Sequence, residues 1–248
     1  MRSDRILAAA IVIPAHDEED LIHACLTSVE LAALAARHVT GRVTTVLVLD
    51  SCSDATAQLA ADFPVEVVTI DAGRVGAARA AGVDAALRAN RDVPPSRLWI
   101  AHTDADSAVP PHWLTHQLRL AKRGADVVVG TVRPDFRDLD ETQTEAWWAT
   151  HTPGVANGHV HGANLGTRAS TLIGAGGFED VREHEDVWLV EEMRARGARL
   201  VASDAAWVRT SGRQQGRTVG GYARYLREDL IAAAAAATQR ATAPVSVA

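Results

Sequence analysis

An α/β sandwich with a mainly parallel central sheet and helices on both faces is the fold that the 248-residue sequence predicts. Three observations predict it. Apolar runs of strand length alternate with segments whose apolar residues recur at helical spacing. The first of those runs is apolar throughout, as a strand buried on both faces requires. Acidic and hydroxyl residues gather where successive strands run out, the edge at which such sheets bind ligands.

Residues 8–14 form the first strand, closed by Pro14. Beyond the acidic stretch 17–20, Leu21, Ile22, Cys25, Leu26 and Val29 mark the buried side of a helix that ends near Arg37, with Asp17 as a candidate cap. The alternation then repeats with strand 43–49, helix 54–61 capped by Asp54, strand 65–70, helix 76–90 and strand 98–103. Gly76 and Gly82 let the third helix lie close on the sheet. Helix 111–123 and strand 126–132 follow, after which the rhythm changes. A helix at 139–150 leads into a Gly- and His-rich segment, 151–166. Helix 186–196, a basic loop at 210–213, a last helix from about Val219 and a frayed tail at 238–248 complete the chain. The expectation is one domain over 1–237, with a first half at about 8–106 and a second at about 107–237.

Composition narrows the function. Hydrophobic residues at 47% and charged residues at 23% describe an ordinary globular core, not a disordered chain. With 25 Lys and Arg against 31 Asp and Glu, the net charge of −6 speaks against a nucleic-acid partner. Cys25 and Cys52 are too few for a disulfide framework and read as free thiols in the cytoplasm. The apolar run 230–237 is far short of the ~20 residues a spanning helix needs, so no transmembrane segment is expected, and contact with a membrane surface stays open. Nothing in the pattern bears on oligomeric state.

The most informative segment is His102-Thr103-Asp104-Ala105-Asp106 at the end of a predicted strand. Residues two apart on an extended chain project to one side, so Asp104 and Asp106 can share a ligand. Such a pair suits Mg²⁺ or Mn²⁺, with phosphates and water filling the other positions, although solvated turn aspartates would look the same. Pro14, Ala15, His16 and Glu18 end the first strand, and Asp50 to Thr56 end the second, where they either bind a nucleotide or cap helices. Residues 73–82, with Arg74 and Arg79, are rich in small side chains but match neither the dinucleotide fingerprint nor a phosphate loop. Trp147 and Trp148 offer a flat stacking face or core, and His161 and His184 orient a ligand or satisfy a polar loop. Two other classes stay open: a metal-dependent phosphohydrolase built from His102, Asp104, Asp106, His184 and Asp186, and a nucleotide-sugar-binding domain without turnover.

In order and spacing these clusters, over about residues 8–227, resemble the family-two glycosyltransferases with the GT-A fold, a Rossmann-like sandwich. The resemblance implies transfer of a sugar from a nucleotide-diphosphate sugar, UDP-sugars favoured, to an acceptor hydroxyl of unidentified nature, with inversion and with Mg²⁺ or Mn²⁺ as cofactor. It assigns Pro14, Ala15, His16, Glu18, Arg74 and Arg79 to the donor and Asp50 to the nucleobase. Asp106 becomes the direct metal ligand, with Asp104 nearer the ribose and the metal waters. His161, Gly162, Asn164, His184 and Trp148 fall on the acceptor side, and in His184-Glu185-Asp186 the general base is Asp186, with Glu185 second. Many relatives carry a late histidine as a further metal ligand, and residues 207–213 have none here. Arg213 and Arg217 are the candidates to grip the diphosphate instead.

Overall fold

The computed structural model describes residues 5–179, 183–216 and 221–242. Strand β1 (Ala8–Ala15) is buried along its whole length and pairs in parallel with β2 (Arg42–Asp50) and β4 (Leu98–His102), and β2 pairs in parallel with β3 (Glu66–Ile70). Helices α1 (Ile22–Thr40), α2 (Thr56–Ala60) and α3 (Val75–Ala89) are the crossovers between them. Alternate residues of β1 serve opposite layers: Ala9, Ile11 and Ile13 join one core with α1 and α4 (Trp113–Lys122), and Ala8, Ala10 and Val12 join a second with α3. Gly82 lets α3 settle on that second face. A Cβ there would lie 2.4 Å from Val12 Cγ1 and 3.0 Å from Val48 Cγ2.

The sheet is mainly parallel, as expected, and its antiparallel pairings lie in the second half. The strand order is β3-β2-β1-β4-β7-β6-β8-β5, where β7 (Leu165–Arg168) runs antiparallel to both β4 and β6 (Val127–Pro134). β8 (Leu200–Thr210) lies parallel to β6, and the short β5 (Ser107–Ala108) closes the edge antiparallel to it. The sheet is therefore mostly parallel with antiparallel strands in its second half.

Between β6 and β7 the chain makes an excursion through a 3₁₀ turn (Phe136–Asp138), α5 (Glu141–Thr150) and the loop that ends at the 3₁₀ turn Gly162–Asn164. Asp140 and Gln143 form a reciprocal capping box at the start of α5. Helix α6 (Ala169–Gly174) follows β7, and α7 (Glu185–Ala195) lies on the α3 side, where Leu189, Val190 and Met193 complete the second core. The chain ends in α8 (Tyr222–Arg224), a π-helical turn (Tyr225–Asp229) and α9 (Leu230–Thr242), which packs on α5 through Trp147, Leu226 and Leu230. The backbone is helical to Thr242, beyond the expected start of a frayed tail at Thr238. Among the described residues no helix is long and apolar enough to cross a membrane.

Candidate functional site

The carboxyl ends of β1, β2 and β4 open onto a cleft of about 900 Å³. Its lining includes Pro14, Ala15, His16, Glu18, Asp50, Arg74 and Arg79 from the first half, the pair Asp104 and Asp106, His161, Gly162, His184, Glu185 and Asp186 from the second half, and Arg213 from beyond β8. Asn164, Trp147, Trp148 and His102 are not in this lining, and Arg217 lies outside the described residues.

The loops after β1 and β2 hold each other. Asp17, at φ 50°, accepts the Ser53 and Asp54 amides at 2.6 and 3.2 Å. Asp54 in turn accepts the Glu19 amide at 2.9 Å, and Glu19 accepts the Ala55 amide at 2.9 Å. Asp54 also accepts the amide of Thr56, the first residue of α2, at 2.9 Å, so it caps the opening of that helix as expected. Asp17 does not cap α1, whose N-cap position is Leu21, and its expected role is corrected to a brace between two neighbouring loops.

Asp50 does more than end a strand. Its carboxylate accepts the amides of Ala72 and Gly73 at 2.8 Å and of Arg74 at 2.9 Å, and also the Ser51 hydroxyl at 3.1 Å. Burial works against its charge, but the Gly73, Ala72 and Arg74 amides outweigh it and hold the carboxyl below the ordinary value. Asp50 thus fixes the entry of α3 and the adjoining wall of the cleft, while His16 Nδ1 donates to its carbonyl at 2.7 Å.

Asp104 and Asp106 do not continue an extended strand. The Ser107 amide bonds back to the Asp104 carbonyl at 3.1 Å, so the pair sits on a turn. Both carboxylates still line the cleft, each against an arginine. Arg79 Nη2 donates to Asp104 Oδ1 at 2.7 Å, and Arg213 Nη2 lies 3.1 Å from Asp106 Oδ2. Arg213 also grips Glu18 with two bonds, at 2.8 and 2.9 Å. Burial, and then the Asp104 charge, push the Asp106 carboxyl up to about 6 against the pull of Arg213. Among the described residues no group of three His, Cys, Asp or Glu side chains is placed to hold a metal ion. Two carboxylate oxygens, completed by phosphate and water, fit a hard divalent cation.

In the second-half part of the cleft, His184 adopts the left-handed conformation at φ 61° and precedes α7. Glu185 is buried, and that burial raises its carboxyl although Arg79 opposes the shift, with Nε 3.1 Å from Oε1. Asp186 is held through both oxygens, by the Gly162 amide at 2.6 Å and the Val187 amide at 2.8 Å. His161 is kept neutral, its ring lowered to about 3 chiefly by burial.

Several sequence expectations need correction. Arg79 is only 3% exposed and directs its guanidinium at Asp104, Glu185 and the Gly162 carbonyl, so its hydrogen bonds go to the protein rather than being held out for a donor. Asn164 is buried and fully engaged: Trp113 Nε1 donates to its Oδ1, and its Nδ2 donates to the carbonyls of Thr131 and Ala206. It locks β7 to its neighbours and does not meet an acceptor. Trp148 is 42% exposed, but on the outer side of α5, stacked on Phe136 and beside Arg133. Trp147 is core. His102 is sealed in β4 edge-on to Phe178, so the five-residue phosphohydrolase set is not assembled.

Sequence reasoning missed Tyr222 and Tyr225, which line the same cleft as His151, His159 and His161. The signal was there, since the chain's two tyrosines stand three apart, one helical turn. Their rings stack with centroids 5.9 Å apart, and Tyr222 meets His161 edge-on.

Several solved structures share this fold. S. aureus TarS 1-349 superposes with a TM-score of 0.59 at 15% identity over 83% of this chain and 60% of that one, so the chain spans less than two thirds of its length. The mannosyltransferase PcManGT of Pyrobaculum calidifontis, solved with GDP-Man and Mn²⁺, gives 0.60 at 19% identity over 98% and 77%. The glucosyl-3-phosphoglycerate synthase of Mycobacterium tuberculosis, solved with Mg²⁺ and UDP, gives 0.54 at 15% over 96% and 81%. No curated protein matches the chain. Residues 10–172, well over half of it, match glycosyl transferase family 2, and with the GT-A sheet and the acidic pair at the end of β4 the chain belongs to that family.

Proposed function

We propose that the chain is a glycosyltransferase that moves a sugar from a nucleotide-diphosphate donor, with a UDP-sugar favoured, to an acceptor hydroxyl with inversion. The observation that carries the reading is one cleft lined by two separate acidic pairs, Asp104 with Asp106 and Glu185 with Asp186. Solved relatives that hold UDP, UDP-GlcNAc or GDP-Man, some with Mn²⁺ or Mg²⁺, support the donor class.

Asp106 and Asp104 would hold the Mg²⁺ or Mn²⁺, which when bound supplies Lewis-acid stabilisation of the leaving diphosphate. Arg213 stands beside Asp106 and adds a planar cation suited to phosphate oxygens. Asp186 is the general base: two amide donors fix its carboxylate in the same cleft, where an acceptor hydroxyl gives up its proton as it attacks the anomeric carbon. Attack from the face opposite the diphosphate inverts the centre. Asp50 shapes the nucleotide wall through the loop it organises.

Thermal shift over a panel of nucleotide sugars, with and without Mn²⁺, identifies the donor. Asp106→Ala should abolish metal-dependent donor binding, and Asp186→Asn should keep donor binding and lose transfer. Equal donor affinity in Asp106→Ala and the parent would overturn the metal role.

A further inference from the structure

Three elements meet on one buried cation. Arg79 leaves α3 and donates through Nη2 to Asp104 at 2.7 Å, through Nε to Glu185 at 3.1 Å and through Nη1 to the Gly162 carbonyl at 3.1 Å. The fit is close enough to dictate residue 162, because a Cβ on Gly162 would lie 2.1 Å from Arg79 Nη2. The amide of that same glycine donates to Asp186 Oδ2 at 2.6 Å. A charge this buried is sustained only by partners of opposite sign with good geometry, and here Asp104 comes from the donor wall and Glu185 from the acceptor wall. Only a planar fork can serve three acceptors set in different directions at once.

We propose that Arg79 is the positioning residue of the transfer step. Through Gly162 and Glu185 it sets the Asp186 carboxylate in fixed register with Asp104, and it touches neither donor nor acceptor. The inference rests on the function proposed above, which gives Asp186 its proton-accepting role. A displacement of Asp186 of about 1 Å would cost roughly 100-fold in turnover with the donor site intact.

The test compares Arg79→Lys and Glu185→Gln with the parent, the second variant guarding against a lysine that does not fold. Transfer kcat should fall about 100-fold in Arg79→Lys, while the Kd for the best nucleotide sugar from the thermal-shift panel stays within about threefold. Amide exchange at Gly162 in the ligand-free protein should speed up about tenfold or more in both variants. Loss of donor affinity with kcat preserved would overturn the proposal by making Arg79 a donor ligand, and so would unchanged Gly162 exchange in both variants. Should the parent transfer no sugar at all, the function proposed above falls, and the exchange comparison decides whether Arg79 holds the Gly162 corner.

Discussion

Asp106 keeps its ionised form at a cost. A carboxyl raised to about 6 from 3.8 binds its proton more tightly in the folded than in the unfolded chain, so stability is lost as pH rises from about 4 to 6 and the full penalty applies above that. Asp106→Asn removes the penalty, which at about 1.4 kcal/mol per unit and allowing for the Arg213 partner amounts to about 1–3 kcal/mol. Its ligand-free Tm should therefore exceed the parent's by about 3–8 °C near pH 7.5 and converge with it below about pH 4. A lower Tm near neutrality would mean that Arg213 needs Asp106 more than Asp106 suffers from Asp104. Asp50 is the opposite case. Its lowered carboxyl contributes stability near neutrality that is lost as pH falls through its folded value below 3.8, so Asp50→Asn should destabilise by about 1–3 kcal/mol at pH 7 in urea melts and by less near pH 3. At this scale the sequence told which residues face the cleft better than what they do there. Motif order brought Asp50, Arg79, Asp104 and Asp186 together, but it could not show that Asp50 is spent on three amides, that Arg79 is sealed, or that Asn164 belongs to the core, because those facts depend on chain segments far apart in sequence.

The elements of the first half were legible because each strand is a continuous apolar run and each helix a periodic one. β7 and β8 were not. β7 is four residues, Leu-Gly-Thr-Arg, with no apolar run to find, and it packs closely because Gly166 admits Gln117 and Trp99, while Gly130 on β6 admits the Asn164 side chain just before it. β8 does alternate from Asp204 to Thr210, but with Asp204, Ala206, Val208 and Thr210 inward and Trp207 partly exposed, the polarity pattern reads as loop. The packing of α3 gives a sharp test. Gly82→Ala would gain about 1 kcal/mol of helix propensity in isolation, yet its Cβ meets Val12 at 2.4 Å, so urea denaturation should show a net loss of about 1–3 kcal/mol. A net gain would mean the helix can lift without harm. On α5, Trp148→Ala should leave acceptor KM within about twofold of the parent, since the ring lies outside the cleft, and a tenfold rise would return it to the acceptor site.

The whole molecule joins a regular parallel half to one in which a reversed strand sits between β4 and β6. The parallel half follows from short-range pattern alone, whereas the reversal is a property of the assembled sheet that no local window contains. It also explains why residues so far apart in the chain share one opening. β4 and β6 end at the cleft edge, and β7, running the other way, begins there, so the segment before it arrives at the same opening as the acidic turn after β4.

Because β6 and β7 are hydrogen-bonded neighbours, residues 135–161 leave the sheet and rejoin it one strand over, like a drawer in a fixed frame. Such an insert can be exchanged between family members without recutting the nucleotide wall, provided its anchors travel with it: Trp147 against Leu226 and Leu230, and the Gly154 amide on Asp204. On the function proposed above, a change of acceptor is then expected to map to that drawer, with the cleft residues at the ends of β1, β2 and β4 kept.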